Sequence, residues 1–376
     1  MLISKSIKKK VKLLVYRVLN FQQKKYVVEY INDLPSSLKL FKSELILNDL
    51  DLKYLESQKL MNFTNEVQEV ELEFYYYTDV ILDSFNGTLI STNLEILNSS
   101  LKFKSQVPYT YLSKVQNVDY SLDQTRKYVF ISNLDSAYFH KWFDGLIQLY
   151  YVKALNESCI ILIPEGTSLK IKNLLLNFKE EFDFKFIDDR FLYLKNVYKF
   201  KHVSWAKHAP LITPDIANFF KKRILNQNYK IKTYEKIFIG RRNTTNRKIK
   251  NDEEIISVFE NFNFKVIYLE DFSIPEQAYL FNNANYIAGL HGAGFTNLIF
   301  CEPNTKIIEL QNLVNVTTYF MISHQLNLNY YYILPNEFDF DKIKHPYIES
   351  RSFFQQKLKD TSYNINEINI LLKEIA

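Results

Sequence analysis

The stretch AGLHGAGFTNLIFCEPNTKIIEL, Ala288 to Leu310, decides the reading of this chain. An apolar strand over Tyr286–Ala288 runs into Gly289, His291, Gly292 and Gly294. A helical segment over 293–300 follows, then Pro303, then a second apolar strand over Lys306–Leu310. The chain has 7 glycines in 376 residues, and Gly289, Gly292 and Gly294 are three of them. Glycines packed between a strand and a helix read in two ways. They make a tight turn, or they let the backbone come close to a phosphate at a helix start. The spacing is neither G-x-G-x-x-G nor a P-loop, so the nicotinamide and ATP fingerprints are absent.

Working outward, the same strand–helix rhythm recurs. Upstream, Lys236–Gly240 reads as a strand, 252–262 as a helix with Asp252 as its N-cap, Lys265–Leu269 as a strand and 274–283 as a helix. Downstream, 313–326 reads as a helix, Tyr330–Leu334 as a strand and 360–376 as a terminal helix. An earlier run alternates likewise: strand Tyr128–Ser132, helix 137–155, strand Cys159–Ile163, helix 168–180, strand Phe184–Ile187. Between the runs, residues 200–214 carry Pro210 and Pro214, with Thr213 as a plausible N-cap. They mark a junction. Two βαβ runs predict an α/β protein with two Rossmann-like domains. Residues 67–103, with Asn86-Gly87 between apolar runs, predict additional antiparallel strands before them. Residues 26–66 read as polar, mixed helix and loop. The expected divisions are 1–25, 26–208, 209–345 and 346–376.

The bulk numbers fit a globular chain: 47% hydrophobic and 24% charged residues. Cys159 and Cys301 give neither a disulfide framework nor zinc spacing, and read as buried thiols. The net charge of +5 is local. Lys5, Lys8, Lys9, Lys10, Lys12, Arg17, Lys24 and Lys25 put eight bases and no acid in residues 1–25, so the rest nets −3 (5 minus 8). A body without basic excess argues against a nucleic-acid partner. Residues 1–25 place Ile3, Ile7, Val11, Leu14, Val15 and Val18 on one helical face. Such a basic amphipathic helix either lies on an anionic membrane surface or docks on the protein. It is too short of apolar residues to span a bilayer.

Three segments carry chemistry. Gly240-Arg241-Arg242, followed by Arg247 and Asn251, sits at a strand end, where arginines suit phosphate oxygens. It also reads as a solvated basic loop. In the second segment, His291, Gly292, Ala293, Gly294, Thr296 and Asn297 form the glycine turn. Glu309, at the end of the next strand, is placed to accept from a ribose or to stand as a surface carboxylate. The third is Tyr138-Phe139-His140-Lys141-Trp142-Phe143-Asp144. His140 and Asp144 are four apart and share a helix face, as a general-base pair or as a structural pair. His202 and His208, flanking Trp205, lie in the junction without metal spacing.

Taken in order, these segments resemble the glycosyltransferase 61 family (DUF563), whose bacterial members are described as capsular polysaccharide biosynthesis proteins. The resemblance rests on Tyr138-Phe139-His140 with Asp144, Gly240-Arg241-Arg242 with Arg247 and Asn251, His291-Gly292-Ala293-Gly294-Phe295-Thr296-Asn297, and Pro303 with Glu309-Leu310. It covers roughly residues 125–312. Phe295 stands where many relatives have Leu. The resemblance implies a GT-B-like fold with a central cleft and a nucleotide-sugar donor in the C-terminal domain. It implies inversion at the anomeric carbon without an obligatory metal or cofactor, and a glycan or lipid-linked glycan is the expected acceptor. Arg242 and Arg247 would hold the diphosphate and Asp144 would be the base, tuned by His140. The expected place of action is the cytoplasmic side of the cell membrane. The rival expectations are another GT-B-like nucleotide-sugar enzyme such as an epimerase, and a membrane-surface scaffold of a polysaccharide assembly complex.

Overall fold

The computed structural model describes residues 68–97, 117–131, 137–200, 212–226, 229–242, 248–311, 318–337 and 360–375 almost throughout, with the strand backbones at 30–31 and 38–45. The expected N-terminal helix, the junction histidines His202 and His208, and Arg247 lie outside the described residues.

The first half is built on one sheet. Its strands are β1 (Tyr30–Ile31), β2 (Leu38–Leu45), β3 (Gln68–Asp83), β4 (Thr88–Ser91), β5 (Ile96–Leu97), β6 (Lys127–Phe130), β7 (Cys159–Pro164), β8 (Asp183–Ile187) and β9 (Phe191–Phe200). They lie in the order β1-β5-β4-β3-β9-β6-β7-β8, with β2 also paired to β3. The predicted hairpin at Asn86-Gly87 joins β3 to β4, and Gly87 supplies the left-handed φ of 73° that the turn needs. The antiparallel and parallel runs expected separately are fused by β9. It pairs antiparallel with β3 and parallel with β6. β9 escaped the sequence reading because FLYLKNVYKF carries no turn signal separating it from β8 beyond Asp188, Asp189 and Arg190. At 30–31 and 38–45, within the stretch expected to be mixed helix and loop, the described backbone is strand, β1 and β2.

The second half holds a parallel sheet of β10 (Lys236–Ile239), β12 (Lys265–Ile267), β13 (Tyr286–Leu290), β14 (Lys306–Leu310) and β15 (Asn329–Ile333). A short β11 (Lys248–Ile249) pairs with β16 (Asp360–Thr361) beside it. The main order is β12-β10-β13-β14-β15. Chain direction across the sheet therefore reverses between β10 and β13, and a crevice opens outside the strand carboxyl ends at such a point. Every residue of β13 is buried, as a strand covered on both faces requires. Alternate residues part to opposite faces: Phe238, Ala288 and Ile308 pack under helices Asp252–Asn261 and Ile365–Ile375. Ile237, Ile287 and Ile307 face helices Ile274–Asn282 and Thr318–Gln325. Helix starts follow local chemistry: Thr213 accepts from the Ile216 N–H ahead of Pro214, and Ser273 forms a capping box with Glu276. Asp252 is the first helical residue and Asn251 the N-cap, one position earlier than expected.

One apolar cluster runs through both halves. Trp142 is its pivot, with ring centroids 5.3 Å from both Phe220 and Phe300. Helix Pro214–Ile224, past the expected junction, packs Phe219 and Phe220 onto Phe178 of the first half. The halves thus share an apolar interior at Trp142. The parallel-stranded, mixed α/β character matches the expectation.

Candidate active site

The expected helix over 137–155 is not uniform. A single turn at Tyr138–His140 passes into a π-helical stretch, Lys141–Leu146, before α-helix resumes at Gln148–Leu155. A π turn inside a helix re-aims the side chains around it and recurs at functional sites. Here it holds Nδ1 of His140 2.9 Å from Oδ2 of Asp144. A carboxylate only accepts, so Nδ1–H donates and Nε2 is left as the basic nitrogen. The side chain of Asp144 is 0% exposed and that of His140 36%. The carboxylate is closed off behind the imidazole, which is the part-exposed member of the pair.

The glycine turn lies against this pair. Tyr138 donates through Oη to Oδ1 of Asn297 at 2.8 Å. Tyr319 sits between the segments, its ring 6.2 Å from Phe139, 5.2 Å from His291 and 5.3 Å from Phe295. No sequence signal marked Tyr319; only the fold brings it here. The segment after Gly292 is a 3-10 helix, Ala293–Phe300, whose first N–H groups have no acceptor in their own helix. Gly292 is extended, so its conformation needs no glycine. Its lack of a side chain does matter: a Cβ there would lie 2.2 Å from Nη2 of Arg241. Arg241 uses that space to donate to the carbonyl of His291 at 2.6 Å, so it braces the turn. At Gly240 and Gly294, a Cβ would stand 2.8 Å from Tyr268 and from Leu269 respectively.

Several of the expected donor residues make contacts inside the protein. Glu309 is buried, its Oε1 taken by Nδ1 of His291 and its Oε2 by Oη of Tyr330 at 2.5 Å. Engaged through both oxygens inside the protein, it orients His291. Asn297 is buried between Tyr138 and Gln277, and Thr296 is fully buried. Asn251 gives both ends of its amide to the backbone of Tyr363, which ties down the C-terminal segment. Ala293 is exposed at the turn. Arg242 is the outward-facing cation at the crevice, 48% exposed, stacked 3.7 Å over Tyr268 and paired through Nη1 with both oxygens of Asp271 at 2.9 Å. Tyr268 and Asp271 escaped the sequence reading because strand-end partners two elements apart leave no local pattern. Among the described residues no group of His, Cys, Asp and Glu is placed to hold a metal.

The chain is thus a mixed α/β protein whose second sheet carries basic and glycine-rich strand ends at its switch point, with a His–Asp pair alongside. Residues 138–308 match the sequence model of the family described as Glycosyltransferase 61. The chain is also similar to the EGF domain-specific O-linked N-acetylglucosamine transferase of Mus musculus, 24% identical over 148 residues. That similarity covers 38% of this chain and 27% of the mouse protein, so it concerns about a quarter of that relative. Both matches support a glycosyltransferase.

Proposed function

We propose that the protein transfers a sugar, with inversion, from a nucleotide-sugar to a hydroxyl of a glycan or lipid-linked glycan. The observation that carries this reading is the meeting of the His140–Asp144 pair with the His291–Asn297 turn, joined through Tyr138 and Tyr319. Nε2 of His140 takes the proton from the acceptor hydroxyl, and Asp144 behind it holds the tautomer and stabilises the imidazolium that forms. The acceptor oxygen bonds to the anomeric carbon from the face opposite the nucleotide. The bond from that carbon to the phosphate oxygen breaks, and its electron pair leaves with the diphosphate. Arg242, Arg247 and the N–H groups after Gly292 receive the developing charge, the electrostatic part that a divalent ion plays elsewhere.

A GT-B-like pairing of the two halves suits this reading, with donor on the second sheet and acceptor on the first. So does a role in capsule or other surface polysaccharide synthesis at the inner face of a membrane, with residues 1–25 on anionic lipid. The test is transfer from a panel of nucleotide-sugars to glycan acceptors, comparing wild type, His140→Gln and Asp144→Asn. Both variants should lose roughly a hundred- to ten-thousandfold in kcat while retaining affinity for the free nucleoside diphosphate. Near-native turnover of His140→Gln would show that the proton goes elsewhere. Donor isomerisation without transfer would point to an epimerase instead.

A further inference from the structure

The first half carries an aromatic feature that the strand-end site does not use. Tyr120 is 63% exposed. It stacks on Tyr193, with ring centroids 5.1 Å apart and 29° between planes. Singly exposed aromatics are ordinary; a stacked pair locked in place is less so.

The lock is extensive. Asp119 N–H donates to the Phe191 carbonyl at 2.8 Å and Tyr193 N–H to the Asp119 carbonyl at 2.9 Å, so the backbone beside Tyr120 is bridged to β9. Gln124 pins the same loop by donating to the carbonyls of Leu122 and Tyr193 and accepting from Lys195 N–H. Tyr193 donates through Oη to Oδ1 of Asp79 at 2.5 Å. Asp79 itself has φ 54°, a left-handed conformation costly for a side-chain-bearing residue inside a strand. The ladder between β3 and β9 is registered at Thr78↔Asn196 and Val80↔Leu194, with Asp79 set apart between them. Backbone held in such a region persists where it serves to place a side chain. Here it places a carboxylate at the rim of an aromatic face.

An exposed ring face takes the C–H face of a pyranose, and carboxylates at its edge accept sugar hydroxyls. Asp79 stands at this rim, and Asp119, next to Tyr120 in the chain, accepts from Ser121 through both N–H and Oγ. A rim rich in carboxylates disfavours a phosphate or a uronate and favours neutral or amino sugars.

The platform is not at the reaction end of the sheet. Val197 lies beside Tyr128 in the parallel pair of β9 with β6, and the helix bearing His140 leaves the carboxyl end of β6. Tyr193 precedes Lys199, which is level with that end, by six residues, or roughly 20 Å of strand. Only a chain of several sugars touches both places.

We propose that Tyr120, Tyr193 and Asp79 form a holding site for a neutral or amino-sugar glycan chain, remote from the strand-end crevice. That the chain held is the acceptor rests on the glycosyltransferase reading; the holding site itself does not. The test is calorimetric titration of the full-length protein and of Tyr120→Ala and Asp79→Asn with chitohexaose, maltohexaose and a galacturonic acid hexamer. A nucleoside diphosphate series runs in parallel. Wild type should bind at least one of the two uncharged hexamers better than the acidic one. Tyr120→Ala should weaken that binding about tenfold or more, with nucleotide affinity unchanged. Asp79→Asn should weaken it less, since ring stacking survives. Absence of binding to both uncharged hexamers, preference for the acidic hexamer, or full affinity in Tyr120→Ala would each overturn the proposal. If glycan binds through Tyr120 while no nucleotide binds either protein, the holding site stands and the transferase reading falls.

Discussion

Tyr138 and Asn297, 159 residues apart, share a hydrogen bond of 2.8 Å that joins the first half of the chain to the glycine turn of the second. Asn297 is fully buried and Tyr138 partly so. Burial keeps the Tyr138 phenol well above its ordinary pKa, against the smaller pull of Trp142 and Asn297, so it remains a donor at any working pH. Asn297 spends its other end on Gln277 at 3.0 Å. The two candidate segments are therefore joined by a polar bond set in an apolar contact.

Tyr138→Phe should cost about 1–3 kcal/mol of stability, because Oδ1 of Asn297 is left buried without its donor. Chemical denaturation measures this. Turnover should fall further than stability alone explains, since the His140 pair and the turn lose their shared reference. A variant that loses stability but keeps native kcat would show that the bond serves folding only.

Gly292→Ala tests the space around Arg241. The added methyl would stand 2.2 Å from Nη2, so the guanidinium must leave the carbonyl of His291. Nucleoside diphosphate affinity should fall about tenfold or more, equivalent to roughly 1.4 kcal/mol. Gly166→Ala, where a Cβ meets nothing within 4 Å, is the matched control and should bind like wild type. Equal affinity in all three proteins would remove the turn from the nucleotide site.

The parallel sheet was legible because buried strands such as YIAGL and KIIEL write themselves as unbroken apolar runs. The glycine turn stood out because glycine is scarce in this chain, and the structure brings it against the His140–Asp144 helix. The division of labour within the site was not. Glu309 and Asn251 look like ligands in sequence, and only tertiary neighbours, Tyr330 and Tyr363, reveal that their polar atoms are spent internally. The His140–Asp144 spacing predicted their contact but not which of the two faces outward. That depends on the π turn, which one residue of extra winding creates and no local pattern announces.

Asp271 competes for Arg242. The pair is exposed, so its own worth is about 0.2–1 kcal/mol. Asp271→Ala should therefore leave stability near wild type and tighten nucleoside diphosphate binding up to about fivefold, by freeing the guanidinium and removing a like charge. Titration calorimetry decides the matter. Weaker binding in Asp271→Ala would mean that the carboxylate positions Arg242 for the ligand and does not compete with it.

Glu337 gives the C-terminal segment an acid limit. Partial burial raises its pKa, but Nζ of Lys250 at 2.6 Å and the N–H and hydroxyl of Ser362 outweigh burial and bring it down to about 2. A carboxyl depressed in the folded state contributes stability above its ordinary value of 4.5, and that contribution drains away as pH falls from there toward about 2. The segment at stake is the one that Asn251 also holds, where β16 leads to Tyr363 and the helix Ile365–Ile375 that roofs the second sheet. Below pH 4.5 the wild type should lose thermal stability more steeply than Glu337→Gln, which lacks the titrating group. Hydrogen exchange in residues 360–375 should rise over the same range. The glutamine keeps the contacts with Ser362 and gives up the charge facing Lys250, so it begins less stable at neutral pH and the two curves converge on acidification. Parallel curves down to pH 2 would show that the Lys250–Glu337 contact does not hold the segment in solution.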